Sequence, residues 1–599
     1  MTGSVGQNKT RCAAALSMCA VGATAVLGLV ACHTEKTVPA TPPNIIIYLV
    51  DTLRRDHLGI YGYSRDTAPR LSEFAADAVR FDRAFSPSSW TRPAVASLLS
   101  GIYPAQHGAR TRLDKIAPGV ELIGEYLHAA GYHNAAFVSN VNVLPIWGFE
   151  RGFDRFVDVD SKLKDRHSDA VNDAVFQYLD EGVPAPFLLY VHTRDPHEPY
   201  EPPPPFDQLW PAAAPTDATT RPKRDKPPWV VKNIQLYDGE VSYNDDQFGR
   251  FLDRLKADGL YRDSLIVFTA DHGEEFYERG VWGHGQSLFG EVVRIPLLIK
   301  LPGSRRAGSV LDAPTTLVDL LPTLLSAAGV AVPEGLAGID LLPAIERGED
   351  PKLDERSLFF ELDLVGKTGQ RTVSTAMIRG EFKYTARSQP THEIGLWNLE
   401  LDANEITNLA NEIPETREAL AEEIEAYRNL DASGVHFWVA GSRAARAVAK
   451  GTLLTTGRFE RVRGPGHETD DRVVIHRGSH RMTFELVLES GSAMADRDGI
   501  VFDVFPLGST IVLEQFSVEG EAAPVLLGRD ASPAGELPVE IDRESPALAV
   551  GHPDELFVRS TSPATGASAH IGFVSRAQGK LSDLAPPIAE RLKALGYIE

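Results

Sequence analysis

From residue 44 to about residue 325, short continuous apolar runs alternate with longer stretches whose apolar residues recur at helical spacing. Ile45–Val50, Ala135–Val138, Pro186–His192, Leu265–Ala270 and Pro296–Leu301 have the uninterrupted apolar pattern of strands buried on both faces. Between them, Leu71, Phe74, Ala75 and Val79 mark a helix over Thr67–Phe81. Ile123–Ala130 is a second helix, ended by Gly131, and Asp169–Leu179 and Val231–Lys256 are two more. This alternation predicts an α/β fold, a mostly parallel sheet sandwiched by helices. Pro202–Trp229 is long for an internal connection and rich in Pro, Lys, Arg and Asp. It suits a lid or substrate loop, and equally a solvated excursion.

The texture changes near Asp431. From Val435 to about Val574, short Val-, Phe- and Leu-rich runs are split by Gly, Pro and Asp, as in RMTFELVLES, GIVFDVFPLG and STIVLEQFSVEG. An appended β-rich, sandwich-like module is expected over 431–580, followed by an amphipathic helix at Ala585–Leu595 within 581–599.

The polar residues that interrupt this pattern fall where the strands end. Asp51 follows the first run, His192, Asp195 and His197 follow the PFLLYVH run, and Asp271 and His272 follow LIVFTA. In doubly wound sheets, ligands bind beyond the carboxyl ends of strands. Thr91 precedes Arg92, Pro93 and an apolar helix-spaced run, which places it as an N-cap with a solvent-facing hydroxyl at the positive helix end. Hydrolysis of a charged ester needs cations to neutralise its oxygens, a nucleophile, and an acid for the leaving group. Asp51, Asp271 and His272 supply mixed oxygen and nitrogen ligands for one divalent ion. Thr91 could join that ion and be activated by it, while His197 and His284 could bind the substrate's oxygens or protonate the leaving group.

The chain has 599 residues and a net charge of −22. That excess of acid argues against a nucleic-acid partner but not against a small anionic substrate, because a metal can dominate a pocket. All three cysteines, Cys12, Cys19 and Cys32, lie in the first 32 residues, so the rest of the chain forms no internal disulfide. Lys9 and Arg11 precede an apolar run, Ala13–Ala31, that ends at Cys32. This is the layout of an export signal, and Leu29-Val30-Ala31-Cys32 resembles a bacterial lipobox with Cys32 as the lipidated residue. An uncleaved membrane anchor is the alternative reading of that run. Residues 1–31 are thus expected to be a signal peptide and 32–43 a polar, Pro-rich tether. The expected location is the bacterial envelope, with a lipid anchor to the membrane.

At this level the chain resembles the sulfatases of the alkaline phosphatase superfamily. The resemblance is carried by NIIIYLVDTLRRDHLGIYG, WTRPAVASLLSGIYPAQHG, GYHNAAFVSN, GFERGFDRF, YVHTRDPHEPY, LYDGEVSYNDDQFGRFLDRL, IVFTADHGEEF with WGHGQSL, and RIPLLIKLPG. LWNLELDANEITNLA is similar to the family's C-terminal subdomain, here about 380–430 of a catalytic domain spanning 44–430, and LKALGY to its terminal helix. The resemblance implies that Asp51, Asp271 and His272 bind one divalent metal, with Ca, Mg, Mn or Zn as candidates. It puts Thr91 at the nucleophile position, His197 at a substrate contact, and His284 where a substrate-binding Lys usually stands. An anionic ester, polymeric or small, is the implied substrate.

Three departures bear on chemistry. Thr52 stands where many sulfatases have a second metal-binding Asp. Val95 replaces the Arg of the family's C-x-P-x-R pattern, and Arg92 is a candidate substitute for anion binding. Thr91 cannot become formylglycine, which is made from Cys or Ser. Superfamily relatives that cleave or transfer phosphoryl groups do use Thr. The expectation is therefore a metal-dependent hydrolase of sulfate, phosphate or phosphonate esters. A phosphoryl transferase or phosphodiesterase on envelope substrates, and a non-catalytic binding protein on the same scaffold, are the alternatives.

Overall fold

The computed structural model describes residues 42–429 except 118–119, 161–166, 212–225, 334–335 and 367–368; beyond 429 it describes only the backbone of strands between Val435 and Ile571. The expected signal peptide, most of the tether, Cys32 and the helix at Ala585–Leu595 lie outside the described residues.

The central strand is β1, Ile45–Val50, buried along its whole length. Burying each Ile, Leu or Val of such a strand stabilises the fold by roughly 1.5–3 kcal/mol. In chain order the other members of its sheet are β2 (Val79–Phe81), β3 (His133–Val138), β4 (Arg155–Asp158), β5 (Phe187–Thr193), β6 (Leu265–Ala270), β7 (Leu297–Lys300) and β8 (Val310–Leu311). Across the sheet the order is β8-β2-β7-β6-β1-β5-β3-β4. All neighbours are parallel except that β7 is antiparallel to both β6 and β2. The mostly parallel α/β sheet expected from the sequence is present, with one reversed strand.

Helices α1 (Pro69–Ala75), α2 (Thr91–Ser100), α3 (Ile123–Ala129), α4 (Ser168–Asp180), α5 (Pro228–Ala257) and α6 (Leu320–Ala327) accompany the sheet. Tyr48 of β1 packs on Phe248 and Phe251 of α5, with ring centroids 4.9 and 5.2 Å apart. The single helix expected over Thr67–Phe81 divides into α1 and β2. Asp245 of α5 caps α1, accepting the backbone N–H groups of Arg70 and Leu71 at 2.8 Å. Past Ala76 the chain extends instead, because Val79 and Phe81 are buried on one face of a strand that pairs on both sides, with β7 and β8. Their spacing from Leu71 and Phe74 mimics a continuing helical stripe.

A second sheet is antiparallel throughout: β9 (Ser357–Val365), β10 (Arg371–Arg379), β11 (Phe382–Gln389) and β12 (Glu393–Asn398), in that order. Helix α7 (Pro414–Asn429) adds Leu420 and Ile424 to an apolar cluster with Met377, Tyr384 and Leu396. Glu361 of β9 joins this sheet to the loop after α2, accepting the Ala105 N–H at 2.7 Å and pairing with Arg110 at 3.0 Å. Further along the chain, eight strands between Val435 and Gly528 make two four-stranded antiparallel sheets, and Leu556–Ser560 pairs with Ala567–Ile571. This is the β-rich module that the short apolar runs indicated.

Candidate active site

The site forms at the carboxyl ends of three adjacent parallel strands, β6, β1 and β5. Their register decides which side chains meet. Val50 lies opposite Ala270, so Asp51 and Asp271 follow as neighbours, and Leu49 lies opposite His192. Alternate residues share a face, so Leu49 and Asp51 fall on one side of β1, together with His192 and Asp271 of the flanking strands.

Each of these side chains is fixed by one atom and presents another. Asp271 Oδ1 accepts the backbone N–H groups of Thr52 (3.1 Å) and His272 (2.9 Å). Asp51 Oδ2 accepts the Asn140 amide at 2.6 Å. The His192 Nδ1 pairs with the Tyr190 hydroxyl at 3.0 Å. The opposite atoms, Asp51 Oδ1, Asp271 Oδ2 and His192 Nε2, are buried without hydrogen-bond partners, and the three residues bring potential ligand atoms within 4.8 Å of one another. His272 donates Nδ1–H to the Gly273 carbonyl at 2.9 Å, which leaves its Nε2 lone pair 3.4 Å from Asp271 Oδ2 and 3.8 Å from Asp51 Oδ1. Anchoring the far atom of each ligand is how metal sites orient their donors.

The electrostatics agree with a cation. Burial raises the Asp51 carboxyl well above the ordinary carboxylate range, and the neighbouring Asp271 raises it further. Burial also pulls the His192 imidazole down to about 4. Two buried carboxylates with orphan oxygens beside neutral imidazoles fit a divalent ion, which supplies the missing counter-charge. Asp51, Asp271 and His272, the expected ligands, are thereby brought together.

Thr91 is the first residue of α2 rather than its cap. Trp90 holds the capping position, with no side-chain bond to the helix, and Thr91 is only 2% exposed instead of facing solvent. Helix α2 is buried from end to end, so its N-terminus is pushed into the interior. The Thr91 Oγ1 lies 3.4 Å from His272 Nε2. The loop after Asp51 is pinned from α5: the Tyr237 hydroxyl donates to the Thr52 carbonyl and accepts the Arg54 N–H, both at 2.8 Å.

His284 and His197 stand beside this centre. The His284 ring is 4.6 Å from that of His272 and 5.1 Å from that of His197. His284 Nδ1 is held by Glu274 Oε1 at 2.8 Å, and the Tyr200 hydroxyl donates to Glu274 Oε2 at 3.0 Å. His197 Nδ1 lies 2.7 Å from the Glu198 carbonyl. Burial, then the charges of Arg194 and His284, drive the His197 imidazole well below its ordinary value.

Arg92 departs from the role expected of it. Its guanidinium donates to the carbonyls of Thr111, Arg112, Asp114 and Asn142 and lies 3.6 Å above the Trp147 ring. With its donors directed at the chain itself, it ties a loop to α2 instead of presenting a fork to an anion. Asn140, His192 and Glu274, in contrast, were given no role from the sequence, and the structure places them in contact with or beside Asp51, Asp271 and His284. Their motifs were visible, but only strand register and the fold of the 273–284 loop reveal their neighbours.

Residues 43–330 match the sulfatase family model, and 278–429 match the C-terminal model of N-sulphoglucosamine sulphohydrolase. This part of the chain belongs to the sulfatase family. The family's enzymes are hydrolases acting on sulfate esters. The chain is 28% identical over 362 residues to an ulvan-active sulfatase of Formosa agariphila, covering 54% of this chain and 69% of that protein. Its fold is similar to a structure solved with D-glucosamine-2-N,6-O-disulfate, at 19% identity and a TM-score of 0.57 over 65% of this chain and 97% of that one. It is also similar to the phosphonate monoester hydrolase of Agrobacterium radiobacter, at 20% identity and a TM-score of 0.55 over 64% and 95% of the two chains.

Proposed function

We propose that this sulfatase-family protein is a divalent-metal-dependent hydrolase of anionic esters in which Thr91 supplies the attacking oxygen. The observation that carries this reading is the position of Thr91 Oγ1, at the buried start of α2 and 3.4 Å from His272 Nε2, beside the converging carboxylates of Asp51 and Asp271. A cation held by Asp51, Asp271 and His272 would neutralise the ester's oxygens and make the Thr91 hydroxyl more acidic.

The chain's own groups then carry the steps. Thr91 Oγ1 forms a bond to the sulfur as the bond from sulfur to the alcohol oxygen breaks. The Thr91 proton ends on that departing oxygen, relayed by the His197 and His284 pair. Glu274 keeps His284 in one ring orientation, as carboxylates do for catalytic imidazoles. Water then attacks the sulfated Thr91, restoring its hydroxyl and releasing sulfate and a proton. The helix N-terminus favours the anionic group throughout.

The ulvan-active relative and the disulfated glucosamine of a structural neighbour support a sulfated saccharide as substrate. Thr91 itself supports a second reading, a phosphate or phosphonate ester, because a Thr ester cannot collapse to an aldehyde and must be opened by water. The phosphonate hydrolase among the structural neighbours is in keeping with it. Phosphoryl transfer to an envelope acceptor would use the same first step. The lipid anchor through Cys32 and an envelope location are part of this proposal. Hydrolysis of nitrophenyl sulfate, phosphate and phenylphosphonate esters by the metal-loaded protein, with and without a chelator, tests it. Turnover of one class that chelation abolishes supports the reading and names the ester. Chelator-insensitive turnover, or none on any ester, overturns it.

A further inference from the structure

Position 52 leaves the centre one donor short, and the structure shows where its side chain went. Thr52 has a backbone φ of 56°, and its hydroxyl donates to the Pro196 carbonyl at 2.5 Å, away from the carboxylates. Its backbone N–H, not its side chain, reaches Asp271. Thr52 is therefore spent on holding the Pro196 loop. On the neighbouring strand, His192 is fully buried and its Nε2 has no hydrogen-bond partner. His192 offers a ring nitrogen within 4.8 Å of a carboxylate oxygen of both Asp51 and Asp271, and its Nδ1 is already taken by the Tyr190 hydroxyl. Donor atoms around an ion with bonds of about 2.0–2.4 Å lie roughly 3–5 Å apart, which is the spacing seen.

We propose that His192 Nε2 is a ligand of the divalent cation, completing the set that Thr52 leaves open, and that the resulting pair of imidazoles selects Mn²⁺ or Zn²⁺ over Ca²⁺. Three lines meet in this assignment. The register of β1 and β5 puts His192 on the same sheet face as Asp51. The Tyr190 hydroxyl, two residues back on that face, fixes the ring through Nδ1, the contact that sets the orientation of a ligating imidazole. An imidazole nitrogen sealed from water beside two carboxylates, yet bonded to neither, has a destabilising place in the fold unless something bridges the gap. Imidazole suits the transition metals, while Ca²⁺ takes oxygen donors. With His192 and His272 both engaged, the centre has two nitrogens and two carboxylates.

This inference rests on the proposed metal centre, and the test separates the two. Mn²⁺ and Ca²⁺ binding are measured by calorimetry on the parent, on Asp271→Asn, and on His192→Ala and the bulkier His192→Gln. Electron spin echo modulation of the Mn²⁺-loaded proteins reports directly coordinated nitrogen, and circular dichroism checks that each variant is folded. The parent is expected to prefer Mn²⁺ and to show two coordinated nitrogens. Both His192 variants are expected to show one, to bind Mn²⁺ at least about tenfold more weakly, and to change little toward Ca²⁺. If Asp271→Asn loses metal but the His192 variants keep the parent's nitrogen signal and Mn²⁺ preference, the role of His192 is overturned and the metal centre stands. A folded parent that binds no metal overturns both.

Discussion

Replacing Asp271 by Asn should change the protein's stability in opposite directions with and without metal. The exchange keeps an oxygen for the Thr52 and His272 N–H groups now held at 3.1 and 2.9 Å. It replaces the orphan Oδ2 by an amide that offers hydrogens where a ligand is needed. Without metal, the parent holds Asp51 and Asp271 side by side, both fully buried. Burial, and then the neighbouring charge of Asp271, raises the Asp51 carboxyl well above the ordinary carboxylate range. Removing one charge should therefore stabilise the metal-free protein. With metal at roughly 1,000 times its dissociation constant, the parent gains about 4 kcal/mol. A variant that binds about 100-fold more weakly gains only about 1.4 kcal/mol at the same concentration. Thermal unfolding of both proteins, chelated and loaded, reads this directly. The variant should melt higher than the parent in chelator and gain much less on loading. Equal metal-induced shifts in the two proteins would refute the ligand role of Asp271. A lower melting point for the variant in chelator would refute the repulsion.

Arg92→Lys should lower the melting temperature by the equivalent of about 2–3 kcal/mol, because several loop carbonyls lose their donors, while KM stays within about twofold; a raised KM with unchanged stability would return Arg92 to anion binding. Glu274→Gln should lower kcat by about 10- to 100-fold and leave metal content and melting unchanged, since its carboxylate acts through His284. Glu275 is buried with both oxygens unpartnered, and burial, then Glu291, pushes its carboxyl up to about 8. Its protonated form is favoured on folding, so the stabilising contribution is whole below about pH 4.5 and is lost as pH rises through 8, by at most about 5 kcal/mol. Glu275→Gln should flatten that decline in melting temperature; an unchanged pH profile would exclude Glu275 as its source.

The strands that carry the site were legible because they are buried on both faces. Ile45–Val50 and Leu265–Ala270 run in the structure as the apolar pattern delimits them. Asp51, Asp271 and His272 follow from that pattern, since each lies just past a strand's carboxyl end. What was not legible depends on pairing. Val79 and Phe81 fit a helical stripe equally well until β7 and β8 are seen beside them. Leu297–Lys300 reads as one more apolar strand, and nothing in its composition reveals that it runs backwards. His192 ends a strand like any core histidine, and only its register opposite Leu49 brings it to the carboxylates. Arg92 looked like a free cation beside Thr91, whereas the loop carbonyls that enclose it lie about 20 to 50 residues further along the chain. The partnership of Glu274 with His284 likewise depends on how the intervening loop folds back.

The claim that Thr91 is the nucleophile is tested most directly by rapid quenching of the metal-loaded protein during turnover, with peptide mapping of the adduct and Thr91→Ala run in parallel. The account predicts a sulfate or phosphorus ester on Thr91 in the parent, and neither adduct nor turnover in the variant. Turnover by Thr91→Ala at the parental rate, or an adduct on another residue, would contradict it.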